Sequence, residues 1–96
     1  MTNFGFDVEK LVDMCRRSDA SMVGIFGSRA RGDVRPKSDI DVMIRFSKPK
    51  SLLALIRLER ELSDAMGTKV DLVTEKAVSP YIIDRIRNDL RVLYEA

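Results

Sequence analysis

Between Asp39 and Arg45 the chain alternates, with Ile40, Val42 and Ile44 at every second position and Asp39, Asp41, Met43 and Arg45 between them. A period of two is the period of a β-strand, whose successive side chains point to opposite faces, so this segment has one apolar face and one face that carries carboxylates. The apolar face has to be covered, and the covering layer must come from the same short chain. Ninety-six residues correspond to about one small domain and one core. With 45% apolar residues, 17 Lys and Arg against 15 Asp and Glu, and a net charge of +2, the composition is far from the signature of disorder. The net charge is also too small to mark a dedicated binder of duplex DNA or of a membrane surface.

The remaining segments supply that cover. Asp7 is placed to cap a helix whose stripe Val8, Leu11, Val12 and Cys15 runs to about Arg17. Met22 to Phe26 reads as a short buried strand ended by Gly27 and Ser28, with a short helix beginning near Ala30. Ser51 caps a longer helix through Leu52, Leu55, Ile56, Leu58 and Leu62, stopped at Gly67. Val70 to Val73 reads as a strand, Ser79 and Pro80 open a helix containing Ile82, Ile83 and Ile86, and Val92 to Tyr94 form a last strand. The alternation of helices and strands predicts an α/β (α+β) fold: one domain over residues 1–96, a small mixed sheet covered by helices, with the site at the carboxyl ends of the strands. The acidic start, with Asp7 and Glu9, and the lack of a long uncharged apolar stretch predict an untargeted, cytoplasmic protein.

The inventory of side chains removes whole classes of chemistry. There is no His, so no Ser/His/Asp triad, Cys/His pair or His-ligated zinc is available from this chain. A single Cys excludes an internal disulfide and a Cys-cluster metal site, and Cys15 lies in the apolar stripe of the first helix. What remains is carboxylate chemistry. Asp39 and Asp41 share one face of a strand, where two like charges repel unless a counter-ion or a proton intervenes, and a divalent cation removes the conflict. Asp71, between Val70 and Leu72, reaches the same cluster if its strand is a neighbour. An isolated Asp-x-Asp on a strand is more often a solvated face. Gly27 and Ser28, directly after an apolar strand, add a turn whose backbone N–H groups suit a phosphate, and Arg29, Arg31 and Lys37 add cations for a polyphosphate. Neither a Walker pattern nor Gly-x-Gly-x-x-Gly occurs. A phosphate turn, a carboxylate cluster and no His together point to phosphoryl or nucleotidyl transfer.

Gly27-Ser28, ten residues, then Asp39-x-Asp41 resembles the signature of the polymerase-β-like nucleotidyltransferase superfamily. The fuller strings Gly27-Ser28-Arg29-Ala30-Arg31-Gly32 and Ser38-Asp39-Ile40-Asp41 resemble its smallest branch, the minimal nucleotidyltransferases (MNT), which include MntA-type antitoxins paired with HEPN-family toxins. The resemblance implies a polymerase-β-like palm and a magnesium-dependent transfer, with manganese as the alternative ion, of a nucleoside monophosphate from ATP or another NTP. It implies that Gly27 and Ser28 hold the triphosphate and that Asp39, Asp41 and Asp71 ligate metal, Asp71 also helping to activate the acceptor hydroxyl. For the antitoxin branch it implies AMP transfer to a hydroxyl of a HEPN-type partner.

So short a chain can hardly enclose two substrates, so a protein partner or a second copy of the chain is expected to complete the site. Two other readings compete. One is an antitoxin that acts by binding alone, through apolar helix residues such as Leu52 or Ile83. The other is transfer to a small molecule or to RNA along a rim of Arg16, Arg17, Arg29, Arg31, Arg35 and Lys37. The aromatics do not interleave with these cations as a base-stacking platform would, so nucleic acid ranks below protein.

Overall fold

A computed structural model describes residues 4–32 and 38–96. Its elements are α1 (Val8–Arg17), β1 (Ala20–Phe26), α2 (Gly27–Ala30), β2 (Ile40–Phe46), α3 (Leu52–Met66), β3 (Val70–Thr74), a 3-10 turn (Glu75–Ala77), α4 (Pro80–Asp89) and β4 (Arg91–Glu95). The capping residues act as the sequence predicts: the Asp7 carboxylate accepts from Lys10 N, Ser51 Oγ from Ala54 N, and Ser79 Oγ from Tyr81 N. Gly67 closes α3 in a left-handed conformation that a residue with Cβ adopts only at a cost. The short helix after β1 starts at Gly27 and not near Ala30, because the chain turns immediately on leaving the strand.

Among the described residues the strands form one sheet in the order β3-β2-β1-β4. β1 runs antiparallel to both β2 and β4, and β2 runs parallel to β3. The sheet is therefore mixed, as expected. The alternation in β2 sets its two faces. Ile40, Val42 and Ile44 are fully buried and join Val23, Ile25 and Val70 against Leu11 and Cys15 of α1 and Leu58 and Leu62 of α3. On the other face Met22 and Met43 pack against Ile86 of α4 in a smaller cluster that Phe26 and Val73 complete. No helix among the described residues is long and apolar enough to cross a membrane.

Two polar side chains of α3 finish the outer edge of the sheet. Glu59 accepts from Leu72 N at 2.8 Å, and Ser63 Oγ accepts from Val70 N at 2.9 Å while donating to Glu59 O. These are backbone donors of β3 that no neighbouring strand takes up, and pairing them blunts an edge that could otherwise recruit another chain. Glu59 does not lie on the wet side of its helix, as its charged neighbours Arg60 and Glu61 would lead one to expect. Only the approach of β3 turns it inward.

Burial pushes the Cys15 thiol up to about 12, which leaves almost no thiolate at neutral pH. Labelling of the native chain with a thiol reagent at pH 7.5 is expected to proceed only as fast as the chain opens. Rapid stoichiometric labelling would contradict the packing.

Candidate active site

The antiparallel register of β1 and β2 sets Phe26 opposite Asp41, and the parallel register of β2 and β3 sets Asp41 opposite Asp71. Residues opposite one another on adjacent strands project to the same side, about 5 Å apart. The two carboxylates thus share the face away from Ile40 and Val42, near enough for Asp71 to raise the pKa of Asp41. The row lies at the carboxyl end of β1 but at the amino ends of β2 and β3. The expectation of a site at the carboxyl ends therefore holds for one strand only, since β2 runs against β1 and β3 follows β2.

Gly27 follows at once with φ of 74°, in the left-handed region. A Cβ there would run into Asp41 Oδ2 and lie 3.3 Å from Asp41 Cγ. Glycine is required twice, for its backbone conformation and for the close approach of the turn to the carboxylate. Ser28, half-buried, is the next residue of the same turn. The sequence motif thus brings the Gly27-Ser28 backbone against the acidic pair.

Partial burial is the largest reason why the Asp41 carboxyl titrates above the usual carboxylate range, followed by repulsion from Asp71 and Asp39. Arg31 acts in the opposite direction. A hard divalent cation fits this donor set, because it relieves the Asp41–Asp71 repulsion without a proton. Asp39 is exposed two residues earlier and contributes to the field at Asp41. Among the described residues no three acidic side chains gather closely enough to hold an ion between them. In place of the expected cluster of three there is a facing pair, Asp41 and Asp71, with Asp39 at its rim.

The cations fall into four groups. Arg31 is at the site, felt by Asp41 and paired through Nη1 with Asp89 Oδ2 at 2.6 Å. Lys37 and Arg35 lie outside the described residues. Arg29 is a correction to the expected phosphate contact. It is 1% exposed, and its guanidinium is occupied by the carbonyls of Phe4, Gly5 and Ser38. Its neighbours in sequence give no sign of which way it points, and the turn of α2 directs it into the core. Nor do Arg16 and Arg17 extend a basic rim: Arg16 sits over the Tyr94 ring at 4.9 Å, and Arg17 pairs with Asp13.

Two residues near the site were not singled out from sequence. Lys69 Nζ lies 3.6 Å from Asp71 Oδ1, and the alternation Lys69-x-Asp71 could have placed it on the same face. Asp89, at the end of α4, reaches Arg31 only through the packing of that helix, so nothing local announces it. A cavity of about 690 Å³ opens elsewhere, beyond the carboxyl end of β2, among Phe46, Lys48, Lys50, Leu55, Lys76 and Ile83. None of the predicted site residues lines it.

Residues 9–96 match the model of the family described as "Polymerase beta, Nucleotidyltransferase". The Methanocaldococcus jannaschii protein MJ0435, which carries a protein adenylyltransferase name, is 38% identical over 80 residues, covering 83% of this chain and 86% of its own. Among solved structures, a toxin-antitoxin complex with AMP-PNP superposes with a TM-score of 0.84 at 22% identity, over 94% of this chain and 74% of that one. A Shewanella oneidensis complex of a tri-AMPylated HEPN toxin with its MNT antitoxin gives 0.76 at 20% identity, over 93% and 70%. At these identities the two structures speak for the fold alone, whereas the family model spans nearly every element that carries the acidic pair and its glycine turn. This chain belongs to the polymerase-β nucleotidyltransferase family.

Proposed function

We propose that this chain is a protein adenylyltransferase that moves AMP from ATP to a hydroxyl of a partner protein of the HEPN toxin type, in the reducing cytoplasm. The observation that carries the reading is the row Gly27, Asp41, Asp71: a turn forced against a carboxylate that is itself held beside a second one. Support for AMP transfer to a protein comes from the protein adenylyltransferase name of the relative that is 38% identical, and the solved structures that share the fold include a complex with AMP-PNP and a complex with an AMPylated toxin.

In this reading the backbone of Gly27 and Ser28 holds the triphosphate, with Arg31 beside it, and Lys37 is assigned the same task. Asp41 and Asp71 would hold magnesium or manganese, with Asp39 assisting from the rim. The ion supplies charge neutralisation of the triphosphate and of the attacking oxygen. Asp71, assigned to the acceptor side, takes up the hydroxyl proton. The acceptor oxygen bonds to the α-phosphorus, the bond from that phosphorus to the bridging oxygen breaks, and pyrophosphate leaves.

Incubation of the chain with α-labelled ATP, magnesium and a HEPN-type toxin from the same source is expected to label the toxin, with no label when Asp39→Asn/Asp41→Asn replaces the wild type. Labelling that persists in the double variant would refute the assignment. A binding-only antitoxin is the second reading, favoured by the exposed Leu52 and Leu53, which are 72% and 75% accessible. It predicts that wild type and the double variant neutralise the toxin equally, with no label in either case.

A further inference from the structure

Arg29 is a charged side chain placed in the core, and among the described residues its hydrogen-bond partners are backbone carbonyls. Its Nη1 donates to Phe4 O at 3.1 Å and Gly5 O at 3.2 Å, while Nε and Nη2 converge on Ser38 O at 3.3 and 2.8 Å. A buried cation requires compensation of this kind, and four donated hydrogen bonds in a fixed fork supply it.

Ser38 O is the acceptor on which further contacts converge. Thr68 Oγ1 also donates to it, at 3.4 Å. Ser38 is directly followed by Asp39, and the next amide, Ile40 N, makes the bond to Lys69 O at 2.9 Å that opens the β2–β3 ladder. One carbonyl therefore gathers three chain segments. Arg29 reaches it from α2, two residues after Gly27. Thr68 reaches it from the segment that enters β3 and carries Asp71. Asp39 and Asp41 follow it in β2.

We infer that Arg29 is a positioning residue of the proposed nucleotidyl-transfer site: its guanidinium ties the Ser38 carbonyl and the Phe4–Gly5 segment to α2, and so sets the acidic residues of β2 at working distance from the Gly27-Ser28 turn. This rests on the function proposed above. It assigns Arg29 an indirect role in metal affinity, with no contact to nucleotide. Groups that orient ligands from outside the coordination shell typically change metal affinity or activity by about 10- to 100-fold when replaced.

The test measures Mn²⁺ affinity, by electron paramagnetic resonance of the free ion, for the full chain saturated with α,β-methylene ATP, whose α–β linkage cannot be cleaved. Wild type, Arg29→Lys and Arg29→Met are compared well below their melting temperatures, with the folded fraction checked by circular dichroism. Mn²⁺ affinity is expected to fall about 10- to 100-fold in Arg29→Met and less in Arg29→Lys, which can still donate to one carbonyl. Unchanged affinity in folded variants would overturn the inference and leave Arg29 a purely structural residue. If neither Arg29 variant folds, Thr68→Val disturbs the same carbonyl from the other side, and a several-fold loss of affinity supports the positioning role while wild-type affinity overturns it. Failure of the wild type itself to bind Mn²⁺ with the analogue would count against the proposed function, a result distinct from wild-type binding that the variants share.

Discussion

Replacing Asp41 by Asn is expected to raise the melting temperature of the metal-free chain while lowering AMP transfer about a thousandfold. The two effects have one origin. In the native fold the Asp41 carboxyl is half-buried and faces Asp71 and Asp39, so its ionised form is disfavoured. The Asn amide keeps the shape and can donate to the Asp71 carboxylate, as a protonated Asp41 would. In the proposed function Asp41 would hold the metal, and losing that carboxylate would forfeit several kcal/mol of charge stabilisation, each ~1.4 kcal/mol being tenfold in rate. The pH dependence separates this origin from a general change in packing. The folded-state pKa of Asp41 lies above its unfolded value, so protonation favours the folded chain. The contribution of Asp41 to stability is fully present in acid below the unfolded pKa and is lost as pH rises through the folded one. The advantage of Asp41→Asn in thermal melts should therefore be largest at neutral pH and shrink towards acid. A variant less stable than wild type at pH 7 would show that burial and repulsion at Asp41 do not govern the apo fold.

The second large effect belongs to Gly27→Ala. A left-handed conformation costs a residue with Cβ roughly 1–2 kcal/mol, and here the added carbon also meets Asp41 Oδ2. A total of about 2 kcal/mol or more would lower the melting temperature of a domain of this size by on the order of 10 °C. Transfer should fall as well, since the carboxylate can escape only by leaving its place beside Asp71. A double-mutant cycle tests the steric part. In an Asp41→Ala background the colliding oxygen is gone, so Gly27→Ala should cost only its backbone term, a coupling of roughly 1 kcal/mol or more between contacting sites. Strict additivity would mean that the turn does not press on Asp41.

The signals that were legible along the chain are those carried by neighbours in sequence. The alternation through Ile40, Val42 and Ile44 determines which side of β2 is covered and which side bears Asp41, because the pleat leaves no other choice. Asp7, Ser51 and Ser79 mark helix starts because a side-chain oxygen meets an amide two or three residues on, and Gly67 marks a stop for an equally local reason. Gly27-Ser28 and the Asp-x-Asp string carry the resemblance to the nucleotidyltransferases in short runs of residues.

What required the folded chain is contact between segments far apart. Whether Asp71 meets Asp41 depends on β2 and β3 pairing in parallel with those two residues in register, across 30 positions of sequence. The direction of β1 against β2 puts the site at the amino ends of the carboxylate-bearing strands, which alternating elements alone do not specify. Arg29 and Arg31 are equally basic neighbours in a surface-like string. Among the described residues one becomes the largest fully buried side chain and the other acts on the charge of Asp41, because α2 makes a single turn and points them to different sides. Glu59 differs from Glu61 only in that the edge of β3 comes to rest beside it. Period, capping and turn chemistry act over a few residues and can be read along the chain, whereas strand pairing and the partners of a buried charge are settled only when the segments pack.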